Sequence, residues 1–140
     1  MRVSGMTTSP TQTTFDQGDV IVLFVPFSDQ PPAGTTPSDP QAYLRNGFWG
    51  KDRPTVVVSV RRYNRADDLL VALFTSRVAK ARRRGEYVLR RWLEAGLTEE
   101  SAIRPRLYQA VKGDVIRRTG TIHTDDRVGM LDTLRNLLGL

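Results

Sequence analysis

The hydrophobic pattern of the first half of the chain is one of short, continuous, largely β-branched runs rather than of helical spacing. Val20, Ile21, Val22, Leu23, Phe24 and Val25 form one; Thr55, Val56, Val57, Val58, Ser59 and Val60 follow Pro54 in a second; Leu69 to Thr75 form a third. Runs of this length and composition predict buried strands. The link between the second and third is too short for a crossover helix, so the strands are expected to pair as an antiparallel meander. Further strands are expected over residues 86–89, 101–111 and 115–118, with Pro105 implying an edge or a bulge and Lys112-Gly113-Asp114 a turn. Residues 90–95 suggest one helical turn closed by Gly96.

Two segments break this rhythm. Residues 26–52 are rich in Pro, Gly, Ser, Thr and Asp and read as a long loop, although Tyr43, Phe48 and Trp49 suggest that its second half packs against something. Residues 124–138 carry helical spacing, with Thr124 as a capping hydroxyl and Asp125 and Asp126 in the first turn. Val128, Leu131, Leu134 and Leu138 share one side, interrupted by Arg135. The expected fold class is mainly β with a C-terminal helix, a small barrel or curled sheet closed by that helix. Residues 1–17, polar and without periodicity, read as a flexible N-terminal tail before a domain spanning 18–140.

Composition narrows the chemistry. There is no cysteine, which removes disulfides, thiolate metal sites and cysteine nucleophiles and is compatible with the reducing cytoplasm. His123 is the single histidine, so neither a histidine metal cluster nor a pair of catalytic histidines fits in one chain. Asp125 and Asp126 are accounted for by the helix dipole, and no metal site is assigned. No phosphate-binding glycine loop or dinucleotide fingerprint is present, so no cofactor is expected. The N-terminus lacks the apolar stretch of a signal peptide, and no run approaches the roughly 20 residues of a membrane span.

The formal charge of +6 favours a polyanionic partner, and the densest positive charge lies in residues 76–85, with Arg77, Lys80, Arg82, Arg83 and Arg84. Tyr87 and Trp92 nearby offer surfaces for stacking on unpaired bases, although Trp92 sits among Leu89, Leu93 and Leu97, where packing is the better explanation.

Three motifs together resemble the MazF/PemK toxins of type II toxin-antitoxin systems: Gly18-Asp19-Val20-Ile21-Val22, then Asp52-Arg53-Pro54-Thr55-Val56-Val57-Val58-Ser59, then Leu73-Phe74-Thr75-Ser76. Downstream, Trp92 to Leu97, Ser101 to Arg104 and Ile116 to Ile122 resemble the longer PemK-like members, so the similarity spans about residues 18–138. It implies an SH3-like barrel with a C-terminal helix, forming a homodimer that binds single-stranded RNA and is neutralised by a cognate antitoxin protein. It also implies a sequence-specific endoribonuclease that needs no metal and inhibits translation. Arg53 and Thr75 match the family's catalytic positions. Ser76, Arg77, Arg82, Arg83, Arg84, Ser101 and Gln109 are the expected RNA contacts. The long loop over residues 26–52 and the arginine-rich 76–85 segment depart from the family pattern.

An arginine above pKa 12 is a poor general base, so Arg53 is expected to stabilise charge on the phosphorane through planar hydrogen bonds. A surface ion pair with Asp52 is its structural alternative. A non-enzymatic toxin of the same fold, resembling the gyrase inhibitor CcdB, or an inactive barrel that only binds RNA or protein, is the competing functional reading.

Overall fold

A computed structural model describes residues 14–140. Seven strands, β1 (Asp19–Pro26), β2 (Tyr43–Arg45), β3 (Phe48–Val57), β4 (Asp68–Thr75), β5 (Tyr87–Val88), β6 (Ala102–Val111) and β7 (Arg117–Thr121), form one antiparallel sheet in the order β5-β6-β4-β3-β1-β7, with β2 paired to β3. Two helices join it, the short α1 (Val78–Arg83) and the closing α2 (Thr124–Leu138). The fold is mainly β with a C-terminal helix, as the sequence implied.

The continuous apolar runs are explained by burial on both faces of the sheet. Val20, Val56, Ala72 and Phe74 point to one side, under Leu89, Ala95, Leu97, Ile122 and Met130. Ile21, Leu23, Val57, Leu69 and Val71 point to the other, where Phe15, Tyr108, Ala110 and Val115 pack on them. The sheet curls, but its hydrogen-bonded path stays open between β5 and β7. The segment after β5 fills that gap by backbone contact: a Cβ on Gly96 would stand 2.4 Å from the Thr119 carbonyl oxygen, and one on Gly120 2.5 Å from that of Ala95.

Several expectations shift. Of the expected tail, residues 1–13 lie outside the described residues, whereas 14–17 are built into the domain. Phe15 is buried, the Gln17 amide donates to the Val58 carbonyl at 2.9 Å, and Arg61 pairs with Asp16 at 2.6 Å. Inside the expected long loop, β2 and β3 form a hairpin around Asn46-Gly47, both at positive φ (50° and 82°), which is the geometry of a two-residue turn whose twist matches its strands. β3 therefore begins at Phe48, and Arg53 lies within the strand rather than at its start.

The basic segment forms α1. Pro105 does mark a bulge: the β4–β6 register jumps from Ala72↔Leu107 to Leu73↔Arg104. The last strand runs over Arg117–Thr121 instead of 115–118, because a 3-10 turn over Lys112–Asp114 delays it.

The closing helix is capped by His123, whose Nδ1 accepts from the Asp125 N–H at 3.1 Å, rather than by Thr124. Its buried residues are Asp126 and Met130, with Leu131 and Leu134 half-buried, while Val128 and Leu138 face out. Fully buried Asp126 accepts hydrogen bonds from the Tyr87 hydroxyl (2.7 Å) and the backbone N–H groups of Arg90 (2.9 Å) and Arg91 (3.0 Å). It clamps the segment after β5 onto α2. Gly129 permits the contact, since a Cβ there would fall 2.0 Å from the Tyr87 ring. Burial first, and the bond to Asp126 second, push the Tyr87 hydroxyl up to about 12.

Candidate functional site

Strands β3 and β4 pair at Thr55↔Leu73, Val56↔Ala72 and Val57↔Val71, and the pairing stops there. Continued two residues further, the same register sets Arg53 opposite Thr75. Both side chains therefore leave the sheet on one face, just past the last paired residues, where the strands part. Two adjoining depressions open at this place. Arg53, Thr75 and Ser76 line both.

The first, a cleft, is completed by Val22, Gln41, Lys51, Asp52, Pro54, Phe74, Leu97, Thr98, Glu99, Ser101, Arg117 and Thr119. The second, a basin, is completed by Ser28, Asp29, Arg77, Lys80, Ala81, Arg84, Glu86 and Arg104. Their volumes of about 340 and 620 Å³ lie in the range of small-ligand sites, about 300–1,000 Å³, so each has room for part of a nucleotide chain.

Arg53 is half-buried and, among the described residues, makes no ion pair. The surface pair with Asp52 does not form, because adjacent strand residues face opposite sides and Asp52 instead accepts from the Tyr43 hydroxyl. Lys51, two residues before Arg53, is tethered to Asp39 at 2.9 Å, and this hydrogen bond is the main cause that holds the Asp39 carboxyl below its ordinary range. Thr75 accepts from the backbone N–H of Arg77 at 3.2 Å, which fixes the strand-to-helix corner and leaves the hydroxyl proton to donate. Ser101 is buried and donates to the Glu99 carbonyl at 2.9 Å, so it shapes the cleft wall more than it offers itself to a ligand.

The expected basic contacts divide. Arg77 and Arg84 reach the basin, where five cationic side chains face the carboxylates of Asp29 and Glu86. Arg84 is held by Glu86 at 3.6 Å and Arg82 by Glu100 at 3.8 Å. Arg83 does not line the basin but a neighbouring shallow depression with Arg77, Lys80, Glu99 and Glu100. Gln109 is not brought to the site. It pairs with Leu70 in the β4–β6 register and lines an apolar groove with Leu23, Val71 and Tyr108. Trp92 packs against the core and Tyr87 against α2, so neither is a free stacking surface.

Sequence reasoning missed Gln41, Lys51, Glu99, Arg104 and Arg117 as lining residues. For Lys51 the two-residue spacing from Arg53 was a usable signal. Arg104 and Arg117 come close only through the fold, Arg104 opposite Leu73 and Arg117 opposite Val22. Among the described residues no group of three His, Cys, Asp or Glu side chains gathers as a metal site, and no helix is long and apolar enough to cross a membrane.

The sequence profile of PemK-like, MazF-like toxins of type II toxin-antitoxin systems matches residues 16–138. The fold is similar to that of an endoribonuclease from a Mycobacterial species in complex with its cognate antitoxin (12% identity, TM-score 0.61, covering 92% of this chain and 97% of that one). It is also similar to MazF in a MazE-MazF structure from Deinococcus radiodurans (19% identity, TM-score 0.62, 91% and 99%). A further Mycobacterial endoribonuclease matches at 14% identity with a TM-score of 0.58, covering 91% and 94%. No curated protein sequence matches significantly.

Proposed function

This chain belongs to the family of PemK-like, MazF-like toxins of type II toxin-antitoxin systems, and from that premise we propose that it is an endoribonuclease cleaving single-stranded RNA without a metal. The observation that carries the reading is the convergence of Arg53 and Thr75, from successive strands, on a cleft and basin they share, with Arg53 in no ion pair among the described residues.

In the reaction, the RNA 2'-hydroxyl attacks the adjacent phosphorus. The O2'–P bond forms, the P–O5' bond breaks, and the products carry a 2',3'-cyclic phosphate and a 5'-hydroxyl. Arg53 binds the non-bridging oxygens and gains strength as charge grows on the phosphorane. The Thr75 hydroxyl donates to the same phosphate. Asp52 faces away from Arg53 and accepts from Tyr43, which leaves Glu99, in the cleft wall, to accept the 2'-hydroxyl proton; the departing oxygen takes its proton from water.

Flanking phosphates lie along the basin against Arg77, Lys80 and Arg104, and the neighbouring base meets the hydrogen-bonding groups of Gln41 and Thr98 in the cleft. The same cationic surface suits an acidic segment of a cognate antitoxin, which would silence the enzyme by occupying it. A second copy of the chain is assigned to the apolar groove beside Leu23, Val71 and Tyr108, flanked by exposed Leu107 and Val111, where Gln109 becomes an interface residue. The enzyme acts in the cytoplasm, where its RNA is.

Incubation of the purified protein with RNA in EDTA tests the reading. Cleavage that persists in chelator and leaves cyclic-phosphate ends is expected, and it disappears in Arg53→Ala. RNA that stays intact across many sequences, with no antitoxin present, overturns it.

A further inference from the structure

We infer that Pro54 is a positioning residue, whose missing N–H keeps β3 and β4 apart and thereby sets the gap between Arg53 and Thr75. The inference rests on the proposed ribonuclease reading for its activity readout and on ladder geometry for its structure.

In an antiparallel pair, residues that exchange two N–H···O bonds alternate with residues that exchange none. The Val58 N–H donates to the Leu70 carbonyl at 2.8 Å. With the register Val57↔Val71, Val56↔Ala72 and Thr55↔Leu73, the bonding positions are then 58 with 70, where the Leu70 N–H turns to the Ser59 Oγ at 3.0 Å instead of returning a bond to Val58, then 56 with 72, and 54 with 74. At the last of these the Phe74 N–H has the Pro54 carbonyl to donate to, but the return bond, from residue 54 to the Phe74 carbonyl, needs an N–H that proline lacks. The ladder fails at the position next to Arg53.

The proline costs nothing on the other side of β3. Bonding positions toward β1 are the odd ones, so the register Val22↔Pro54 within the long β1–β3 pairing asks no donor of residue 54. β3 therefore stays anchored to β1 while it comes away from β4.

The consequence falls on the next pair. Arg53 and Thr75 would be a non-bonded pair in a continued ladder, with Cα atoms about 4.5 Å apart and side chains in contact. Such a pair leaves no room for a phosphate between guanidinium and hydroxyl. By ending the ladder one residue earlier, Pro54 holds the two groups as facing walls instead of as neighbours. It touches neither the phosphate nor the attacking oxygen, and acts through Arg53 and Thr75.

The test replaces Pro54→Ala in the full chain. The new backbone amide at position 54 is expected to be protected from hydrogen exchange by the Phe74 carbonyl, with a melting temperature unchanged or raised. Cleavage should fall about 10- to 100-fold in kcat, since misplacement by about 1 Å has effects of that order, with KM changed far less. A second variant carries L-lactate at position 54, a backbone ester that lacks the N–H as proline does but has no ring. It should restore kcat to within about threefold of the natural chain.

A freely exchanging amide at position 54 of the Pro54→Ala variant, or an ester variant as inactive as Pro54→Ala, overturns the inference, the latter by showing that the ring and not the missing donor matters. If the natural chain cleaves no RNA, the ribonuclease reading fails, while the exchange measurement still decides whether the ladder closes.

Discussion

Two basic regions of this molecule behave differently. The segment through α1 is the densest basic stretch in the sequence, yet two of its arginines, Arg82 and Arg84, are turned to Glu100 and Glu86. The sheet contributes cations scattered far apart along the chain, Arg53, Arg104 and Arg117, and the fold delivers all three to the two adjoining depressions. Charge density along a chain is thus a poor guide to charge density in space. A strand fixes a side chain to within a residue's register, whereas a short surface helix spends part of its charge on its own neighbours.

The difference can be broken most directly at Arg53. Arg53→Ala is expected to lower kcat/KM for RNA about 10²- to 10³-fold, the usual scale for losing one preorganised donor to transition-state charge, while thermal stability stays put. A loss smaller than about tenfold would move the chemistry elsewhere. Thr75→Ala should cost about tenfold, with Thr75→Ser close to the natural activity because the hydroxyl is retained. Equal losses in both variants would mean that the methyl group, not the oxygen, is what matters.

The helix side is expected to act on affinity. Arg77→Ala combined with Lys80→Ala should weaken RNA binding similarly across sequences and make the salt dependence shallower, by about 0.7 in the logarithmic slope for each phosphate no longer neutralised. Arg82→Ala, already engaged by Glu100, should change that slope least, and titrations at several salt concentrations would show whether it does.

The smallest effect concerns the clamp that holds the segment between the two regions. Tyr87 titrates near 12 in the folded chain against an ordinary 10, so the folded state keeps its proton where the unfolded chain has lost it. The stability it contributes is complete below about pH 10 and is lost as pH rises from 10 to 12. Tyr87→Phe should destabilise the protein by about 1 kcal/mol at neutral pH and remove that alkaline decline, as followed by denaturant melts at several pH values.

These residues also show how much the sequence carried. The strands through Val20, Val56 and Leu69 were legible because both sheet faces are buried and the runs are uninterrupted. Arg53 and Thr75 were singled out by the family resemblance of motifs that flank those runs, and that they line one cleft together is what the fold adds. Phe15 was not, being one aromatic in a polar stretch whose anchor, Asn64, lies far along the chain and donates to its carbonyl at 2.9 Å. The β2–β3 hairpin was announced by Asn46-Gly47 and passed over amid stronger loop signals. Gln109 lies away from the cleft because a strand residue's depth along the sheet depends on register, which sets it opposite Leu70 rather than near Thr75. The capping role of His123 and the burial of Asp126 depend on what α2 lands against, which local pattern does not encode.

The glycine pair at the open margin of the sheet carries a final implication. Gly96 and Thr119 meet back to back where the hydrogen-bonded path is interrupted, and both line the cleft. The seam that shuts the fold is therefore also a jamb of the site's doorway. A side chain added at Gly96 or Gly120 would act as a wedge, loosening the molecule and widening the doorway in one motion, so that here robustness and substrate fit are inherited together and cannot be tuned apart.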